Sequence, residues 1–436
     1  MSSSAEALYG GVGAPYPNPV LPGFNPDPSI ALVDGVYYIV TSTFEYLPGL
    51  PVYRSTDFVE WEQIGNVATR EDQLGIGDAP TNMGVWAPTL RWHDGLFRVI
   101  VGVPSGRGCI VFTAEDPSGP WSDGVVLEGL NGIDPGLAWD DDGTALVTFS
   151  GLILSGPETG KHLGIQQVRA DLATGELLSE PGDVWSGSGS MFPEAPHLFR
   201  RGDDWYLLIA EGGTERGHGA SIGRGTSPQG PFEPGPANPF LSARSTIRPI
   251  QNTGHGDFVE GPNGESLFVM LGVRPKGGTR AFSPLGRETF VTRVDWSSGW
   301  PVAEPVNLAP RREIVEDVAF DAPLDNRWIA MRRLPQTIAT VADGRLTIAS
   351  DGTTLDDLRA AFVGRRQLAL EVEASTTIDV SAGTGGRSLS AETAASFTGR
   401  VIGLYAASGT VSFDGFRTVG REHAPAATFG STSSDA

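Results

Sequence analysis

One layout occurs five times along the chain: a short polar motif leads into an apolar run, a turn with glycine, and a second apolar or aromatic run. The copies recur about every 50 to 60 residues, a period typical of propeller blades. They occupy residues 26–40, 85–101, 133–149, 193–209 and 254–269. Their turn glycines are Gly35, Gly95, Gly143, Gly202 and Gly264. Five units of about four strands predict a closed five-bladed β-propeller over residues 15–310, with two stacked sandwiches as the alternative.

Composition supports an all-β fold. The chain has 58 glycines and 33 prolines, which favour short strands and tight turns over long helices. With 436 residues, 39% of them hydrophobic, it can bury a large core and is expected to form two domains. We expect residues 1–14 to be flexible and residues 425–436, which are rich in Ser, Thr and Ala, to be disordered.

The net charge, the single cysteine and the N-terminal sequence limit which binding partners and which cellular compartment are expected. The formal net charge of -21 repels nucleic acid phosphates and anionic membranes, so neither is predicted as a partner and a neutral substrate fits. The single cysteine, Cys109, has no intramolecular disulfide partner. Residues 1–13 lack the basic start and apolar stretch of a secretory signal, which leads us to expect a cytoplasmic protein.

The repeat also predicts where a functional site would lie. The innermost strands of all blades line the central channel, so equivalent positions of different blades converge. Counting back eight or nine positions from each turn glycine gives five polar or aromatic residues in the same phase: Asp27, Trp86, Asp134, Glu194 and His255.

The three carboxylates in this set stand beside prolines, in PDP, DP and PEAP motifs, and proline restricts the backbone that aims them. Each motif alone is more typical of a turn or cap. Their shared phase changes that interpretation, because carboxylates gathered around one axis repel each other and raise at least one pKa. Glycosidic bond hydrolysis needs one carboxylic acid and one carboxylate, which this arrangement provides.

At these motifs the sequence resembles glycoside hydrolase family 43, particularly its two-domain β-xylosidases and α-L-arabinofuranosidases. Residues 18–29 (NPVLPGFNPDPS) are similar to the segment that carries the general base, which places that role on Asp27. Residues 132–136 (GIDPG) resemble the motif of the carboxylate that tunes the acid, here Asp134. Residues 191–199 (MFPEAPHLF) resemble the general-acid motif, so the resemblance makes Glu194 the acid.

Further matches imply substrate-binding residues. Residues 41–49 (TSTFEYLPG) and 84–89 (GVWAPT) resemble segments whose aromatic rings pack on the sugar, here Phe44 and Trp86. Residues 285–289 (LGRET) make Arg287 a candidate for contacting substrate hydroxyls. The resemblance implies no cofactor for the chemistry itself.

The histidine of TGHG (residues 253–256) is the candidate for a metal. In the family it lies beneath the site near a calcium ion or a water, so the resemblance makes His255 a candidate to contact a structural calcium directly or through water. One imidazole does not define a metal site, and a hydrogen-bonding role is the alternative. The other histidines show no metal-ligand spacing: His93, His162, His197, His218 and His423.

The region after residue 310 resembles the family's C-terminal β-sandwich, which we place at residues 311–424. Its middle is shortened, so we expect it to contribute no lid over the pocket, leaving Phe44, Trp86 and Arg287 to form the sugar site. Two departures from the family's motifs, Ile133 and Asn25, are expected to alter the pocket wall.

The resemblance implies an inverting exo-glycosidase that releases xylose from the non-reducing end of β-1,4-xylo-oligosaccharides in xylan degradation. The alternatives are an α-L-arabinofuranosidase, a bifunctional enzyme with both activities, and, more distantly, a non-catalytic sugar-binding propeller. The expected partner is a small neutral oligosaccharide, and assembly into a homo-oligomer is left open.

Overall fold

A computed structural model describes residues 13–276, 283–380 and 397–422, which form antiparallel sheets almost throughout. The only helical segments in these ranges are two short 3-10 turns, Glu71–Gln73 and Pro335–Thr337. Neither has the length or apolarity that crossing a membrane requires. The expected disordered tail at 425–436 lies outside the described residues, as does the expected flexible N-terminus up to residue 12.

Residues 29–303 form five sheets, which we number as blades 1 to 5, each with four strands joined in chain order. The strands of blade 1 are Ser29–Val33, Val36–Val40, Gly49–Ser55 and Glu62–Ala68. The strands of blade 2 are Pro88–His93, Leu96–Val103, Gly108–Ala114 and Val125–Val126. In each blade the first strand is innermost and begins close to an in-phase residue.

The remaining blades repeat this order. The strands of blade 3 are Ile133–Trp139, Ala145–Leu152, His162–Ala170 and Gly182–Trp185. The strands of blade 4 are Glu194–Arg201, Asp204–Glu211, Gly219–Gly225 and Glu233–Pro234, with Leu241–Ser242 pairing on the third. The strands of blade 5 are Gln251–Glu260, Ser266–Val273, Glu288–Asp295 and Val302–Ala303.

The five blades close into a ring. The innermost strand of each blade contacts that of the next, and the innermost strand of blade 5 contacts that of blade 1. The N-terminal segment fastens this closure, since Leu21 bridges to Thr289 of blade 5. The side chain of Asn18 exchanges two hydrogen bonds with the Val291 backbone, at 2.9 and 3.0 Å. The predicted five-bladed propeller is therefore confirmed.

The turn glycines lie where the repeat predicts, between the first and second strands of each blade. Their φ values run from +63° to +81°, a region that disfavours side chains with a Cβ. No heavy atom lies within 4 Å of a Cβ built at any of the five. The backbone conformation of the turn therefore requires glycine here, and crowding does not.

The C-terminal region is a small β-sandwich, as predicted. Its larger sheet contains Glu313–Val318, Ala339–Ala342, Arg345–Ala349, Glu371–Val380 and Thr410–Arg421. The facing pair is Phe362–Arg366 with Val401–Tyr405, extended by a bridge from Ile329 to Gly364. Its core packs Trp328, Ile348, Phe413 and Phe416 against Val363 and Leu404.

The sandwich is joined to the propeller beside the ring's central opening. Ala330–Met331 pairs antiparallel with Tyr46–Leu47, which follows the second strand of blade 1. The two domains share a cluster of buried apolar side chains: Phe24, Phe44, Tyr46, Ile329, Met331, Phe362 and Val401. Phe44 is one of the predicted sugar-binding residues, so the second domain supports the site from behind.

Candidate active site

A cavity of about 620 Å³ opens at the end of the propeller where the inner strands begin. Each inner strand runs away from this end, so the in-phase residues of different blades meet there. The structure places all seven residues predicted for the site in the cavity wall: Asp27, Phe44, Trp86, Asp134, Glu194, His255 and Arg287.

The backbone at the carboxylates is irregular. Asp27, Asp134 and His255 have φ values of 54°, 51° and 45°, a left-handed conformation that non-glycine residues seldom adopt. The inner strands of blades 3 and 4 have register shifts that span Pro135 and Pro196. Proline has no N–H to donate to the ladder, so a bulge is the expected consequence, and bulges re-aim side chains next to active sites.

Asp27 is held in its ionised form. Arg287 donates from Nη1 to Asp27 Oδ1 at 2.7 Å and from Nη2 to Oδ2 at 3.3 Å, and Ser42 Oγ donates to Oδ2 at 2.6 Å. Burial by itself raises the pKa of Asp27, but the Arg287 charge, the nearby His255 and the Ser42 hydrogen bond together lower it. This carboxylate can therefore accept a proton at neutral pH.

Asp134 and Glu194 are shifted the opposite way. Burial and the charge of Asp27 raise the pKa of Asp134 to about 7, against a smaller lowering by Arg287. Burial and the charges of Asp134 and Asp27 raise the pKa of Glu194 well above its usual range. Three neighbouring carboxylates repel one another when all are ionised, so the two that are farther from Arg287, Asp134 and Glu194, keep at least one proton between them.

A buried ion pair, Asp257 with Arg91, also links the inner strands. Asp257 accepts hydrogen bonds from Arg91 Nη1 at 2.6 Å and Ser29 Oγ at 2.9 Å, and lies 3.0 Å from His197 Nδ1. Burial raises the pKa of Asp257, but the charges of Arg91 and His197 lower it overall. These residues come from the inner strands of four blades, so the network ties together the strands that carry the site.

His255 and His218 lie behind Asp27, where the metal was expected. His255 Nδ1 is 3.5 Å from Asp27 Oδ1, and burial lowers the pKa values of His255 and His218 to about 3 and about 4. Among the described residues no three His, Cys, Asp or Glu side chains are grouped to hold a metal. Calcium takes six to eight oxygen ligands. One imidazole beside a carboxylate already bound by Arg287 supplies few such ligands, so a calcium ion here would be held mainly by waters, and it stays a prediction.

Aromatic rings close one side of the cavity, and one of them was not predicted. The Arg287 guanidinium lies 5.3 Å from the centre of the Phe44 ring and 5.2 Å from that of Phe397. Phe44 and Phe397 pack edge to face at 5.7 Å. Trp86 packs against the same apolar cluster as Phe397, and it donates from Nε1 to the Asn82 carbonyl at 2.7 Å, which fixes its ring.

Phe397 corrects the expectation that the short sandwich domain contributes nothing to the site. It lies four residues before the strand Val401–Tyr405, and it lines the cavity together with the propeller residues. Its carbonyl is also 3.5 Å from Arg287 Nη2. The shortened domain still reaches the site because its facing strand pair places Phe362 and Val401 in the same apolar cluster as Phe44.

The two departures from the family's motifs behave differently. Ile133 lines the cavity, as expected. Asn25 does not, because its side chain points away and accepts a hydrogen bond from Tyr53 at 2.6 Å. The expectation that Asn25 alters the pocket wall is therefore wrong.

Other wall residues were missed by sequence reasoning: Asn82, Met83, Leu152, His162, Phe192, Thr214 and Glu215. Phe192 stands within the quoted acid motif, so proximity to Glu194 was an available signal. For His162 the sequence showed only that no other histidine stands at metal-ligand spacing from it. That observation does not indicate whether the residue lines a pocket.

The cavity thus brings together an ionised carboxylate, Asp27, and a carboxyl group that stays protonated, Glu194. Titratable groups whose environments push their pKa values apart are the basis of paired acid and base catalysis. Such a pair can activate water at one end and protonate a leaving oxygen at the other.

Comparison with known proteins places this geometry in context. The model of the family described as "Glycosyl hydrolases family 43" matches residues 16–301. A Bacteroides ovatus protein named non-reducing end alpha-L-arabinofuranosidase is 36% identical over 84% of this chain and 70% of its own length. A Bacillus subtilis protein named beta-xylosidase is 32% identical over 83% of this chain and 74% of its own length.

The architecture is also found in solved structures. A xylan beta-1,4-xylosidase from Bacillus halodurans has a TM-score of 0.80 and 25% identity, covering 93% of this chain and 100% of that one. A protein from the xyloglucan locus of Bacteroides ovatus has a TM-score of 0.78 and 28% identity, covering 92% of this chain and 99% of that one. Both coverages include the C-terminal sandwich as well as the propeller.

Proposed function

The chain belongs to glycosyl hydrolase family 43 and is a glycoside hydrolase acting on carbohydrate, and from that premise we propose an inverting exo-β-xylosidase acting on short xylo-oligosaccharides. The relative named beta-xylosidase and the solved xylan beta-1,4-xylosidase support this substrate. A cavity of about 620 Å³ is in the size range of small-ligand sites and suits a short oligosaccharide.

In the proposed reaction Asp27 takes a proton from a water molecule whose oxygen attacks the anomeric carbon. Glu194 gives its proton to the glycosidic oxygen as the bond between that oxygen and the anomeric carbon breaks. Asp134 holds no bond to the sugar, and its role is to keep the pKa of Glu194 high. One proton is taken up by Asp27 and one is released by Glu194, so the step is balanced.

The observation that carries the proposal is the opposite direction of the pKa shifts at Asp27 and Glu194 in one cavity. A base must be ionised and an acid protonated at the same pH for the reaction to proceed. The side chains supply both, so the proposal assigns no step to a metal or cofactor.

A second candidate, α-L-arabinofuranosidase, is favoured by the name of the Bacteroides ovatus relative. Both glycosides present a pentose to the same cavity, and the cavity residues described above do not discriminate between them. The same three carboxylates would perform the same steps. A bifunctional enzyme is consistent with this shared machinery.

The test is hydrolysis of p-nitrophenyl β-xyloside, p-nitrophenyl α-L-arabinofuranoside, xylobiose and arabino-oligosaccharides, with NMR of the first-formed sugar. The proposal expects xylose from both xylosides and α-xylose as the initial anomer. Initial β-xylose would show retention and overturn the inverting mechanism. A much higher kcat/KM on the arabinofuranoside would favour the second candidate.

A further inference from the structure

Ser150 connects the third blade to the peptide that precedes the proposed acid. It is fully buried near the end of the strand Ala145–Leu152. Its Oγ lies 2.8 Å from His162 Nε2 and donates to the Pro193 carbonyl at 2.9 Å. Pro193 is the residue immediately before Glu194. A side chain outside the three carboxylates therefore reaches the backbone of the acid.

Four residues form a series of hydrogen bonds that runs from Gly164 through His162 and Ser150 to Pro193. The contact at Gly164 determines which group donates at each later step. The Gly164 N–H donates to His162 Nδ1 at 3.1 Å, so Nδ1 carries no proton. The neutral ring then has its proton on Nε2 and donates to Ser150. Ser150 accepts that bond, which leaves its own hydrogen for the Pro193 carbonyl.

The local backbone is built for this contact. The pairing of the second and third strands shifts register between Ser150 and Leu152, which forms a bulge at the start of the strand His162–Ala170. Gly164 has a φ of +85°, and a Cβ there would lie 3.1 Å from the Trp185 carbonyl. The bulge thus depends on glycine and turns the Gly164 N–H toward the His162 ring.

The backbone around Glu194 needs such restraint. Phe192 and Ala195 both lie in the left-handed region, with φ values of 53° and 52°. Non-glycine residues stay in this conformation only where the surroundings hold them. On the far side of Glu194, the Ala195 N–H donates to the Asp134 carboxyl group. Side chains of blade 3, Ser150 and Asp134, therefore hydrogen-bond to the backbone on both sides of Glu194.

We propose that Ser150 and His162 are positioning residues that fix the proposed general acid through the Pro193 carbonyl, an inference that rests on the acid role of Glu194. His162 also forms part of the cavity wall, where Phe192 packs edge to face against it at 6.3 Å. The pair therefore couples the wall around the leaving group to the placement of the proton donor.

The consequence is a selective loss on substrates that need an acid. A sugar leaving group requires protonation as its bond breaks, whereas a 2,4-dinitrophenolate leaves without it. A displaced Glu194 should therefore slow the release of a sugar more than the release of 2,4-dinitrophenolate. Damage to the fold or to sugar binding would slow both alike.

The pH profile gives a second readout. Burial and the charges of Asp134 and Asp27 raise the pKa of Glu194 and keep it protonated, whereas the charge of Arg287 lowers that pKa. These three residues are the charged groups that act on Glu194. A looser peptide lets the carboxyl leave that position. The basic limb of kcat/KM, which reports loss of the acid's proton, should then move to lower pH.

The experiment compares Ser150→Ala, His162→Leu and His162→Gln on xylobiose and 2,4-dinitrophenyl β-xyloside, or on the arabinosyl pair if wild type prefers arabinose. We expect the first two to lower the xylobiose to dinitrophenyl ratio of kcat/KM by about tenfold or more. His162→Gln keeps an N–H donor for Ser150 and should retain more of the ratio. The control is Ser221→Ala, a fully buried serine of blade 4 whose Oγ has no hydrogen-bond partner among the described residues.

Glu194→Ala, run on the same substrates, separates the two hypotheses. If Glu194→Ala loses xylobiose selectively while Ser150→Ala and His162→Leu lose both substrates equally, the positioning role is overturned and the acid stands. If Glu194→Ala itself loses both equally, the acid assignment fails first. Should Ser150→Ala not fold, the two His162 variants decide by the same ratio and the same basic limb.

Discussion

Arg287 holds Asp27 with two parallel hydrogen bonds, from Nη1 to Oδ1 at 2.7 Å and from Nη2 to Oδ2 at 3.3 Å. The arginine comes from the loop before the third strand of blade 5 and the aspartate precedes the first strand of blade 1. This pair therefore spans the closure of the ring. It also assigns protons in the cavity, because the carboxylate nearest the guanidinium ionises first.

Replacing Arg287 should move the acidic limb of kcat/KM upward. Burial raises the pKa of Asp27, and Arg287 is the first influence that lowers it. Without the guanidinium the base gains its proton at a higher pH, so activity is lost sooner as pH falls. We expect Arg287→Gln to shift this limb by about one pH unit or more and Arg287→Lys to shift it less. An acidic limb that stays in place in Arg287→Gln would refute this relationship.

Removing either partner of the acid–base pair should stop turnover without unfolding the protein. Asp27→Asn and Glu194→Gln preserve shape and are each expected to lower kcat by roughly 10² or more. The control is Asp141→Asn, whose carboxylate is 80% exposed on a blade 3 turn. Wild-type turnover in either site variant, with Asp141→Asn unchanged, would remove that residue from the proposed mechanism.

Much of this site could be predicted because the propeller converts sequence phase into spatial convergence. Asp27, Asp134, Glu194 and His255 stand at matching positions of the repeat, so the fold alone brings them to one cavity. The same logic reached Trp86. This prediction did not require the conformation of any loop, because closure of the ring places the start of every inner strand at the same end of the channel.

Residues outside the repeat could not be found this way. Phe397 reaches the cavity through packing between two domains, a relation that no periodicity encodes. His162 and Ser150 act on the acid through a bulge and a histidine tautomer, which depend on hydrogen-bond directions. Asn25 shows the converse, since a position beside the base points to Tyr53 and away from the cavity.

Truncating Phe397 should weaken substrate binding. Its ring packs against Phe44 and Arg287, and the alanine variant opens that side of the cavity. We expect Phe397→Ala to raise KM on xylobiose by about tenfold, equivalent to about 1.4 kcal/mol, with a smaller change in kcat. Ile378→Ala, at an exposed position of the same domain, is the control. Identical KM values for the two variants would return Phe397 to a purely structural role.

The raised pKa of Asp134 predicts a stability cost that grows with pH. Its folded-state pKa of about 7 lies above the ordinary value of about 3.9, so the folded protein binds this proton more tightly than the unfolded chain. The resulting stabilisation is fully present below the ordinary pKa and is lost as pH rises through about 7. Asparagine does not titrate and can still accept the Ala195 N–H. Asp134→Asn should therefore have a higher Tm than wild type at pH 8.

Calorimetry at several pH values between about 4.5 and 8.5 would measure this effect. We expect a Tm gain of at least about 2 °C at the alkaline end that shrinks toward the acidic end, together with a large fall in kcat. Asp141→Asn, an exposed carboxylate, should show no such trend. A gain that is constant across pH would mean that the substitution stabilises by packing, and that the Asp134 carboxyl is not the source of the cost.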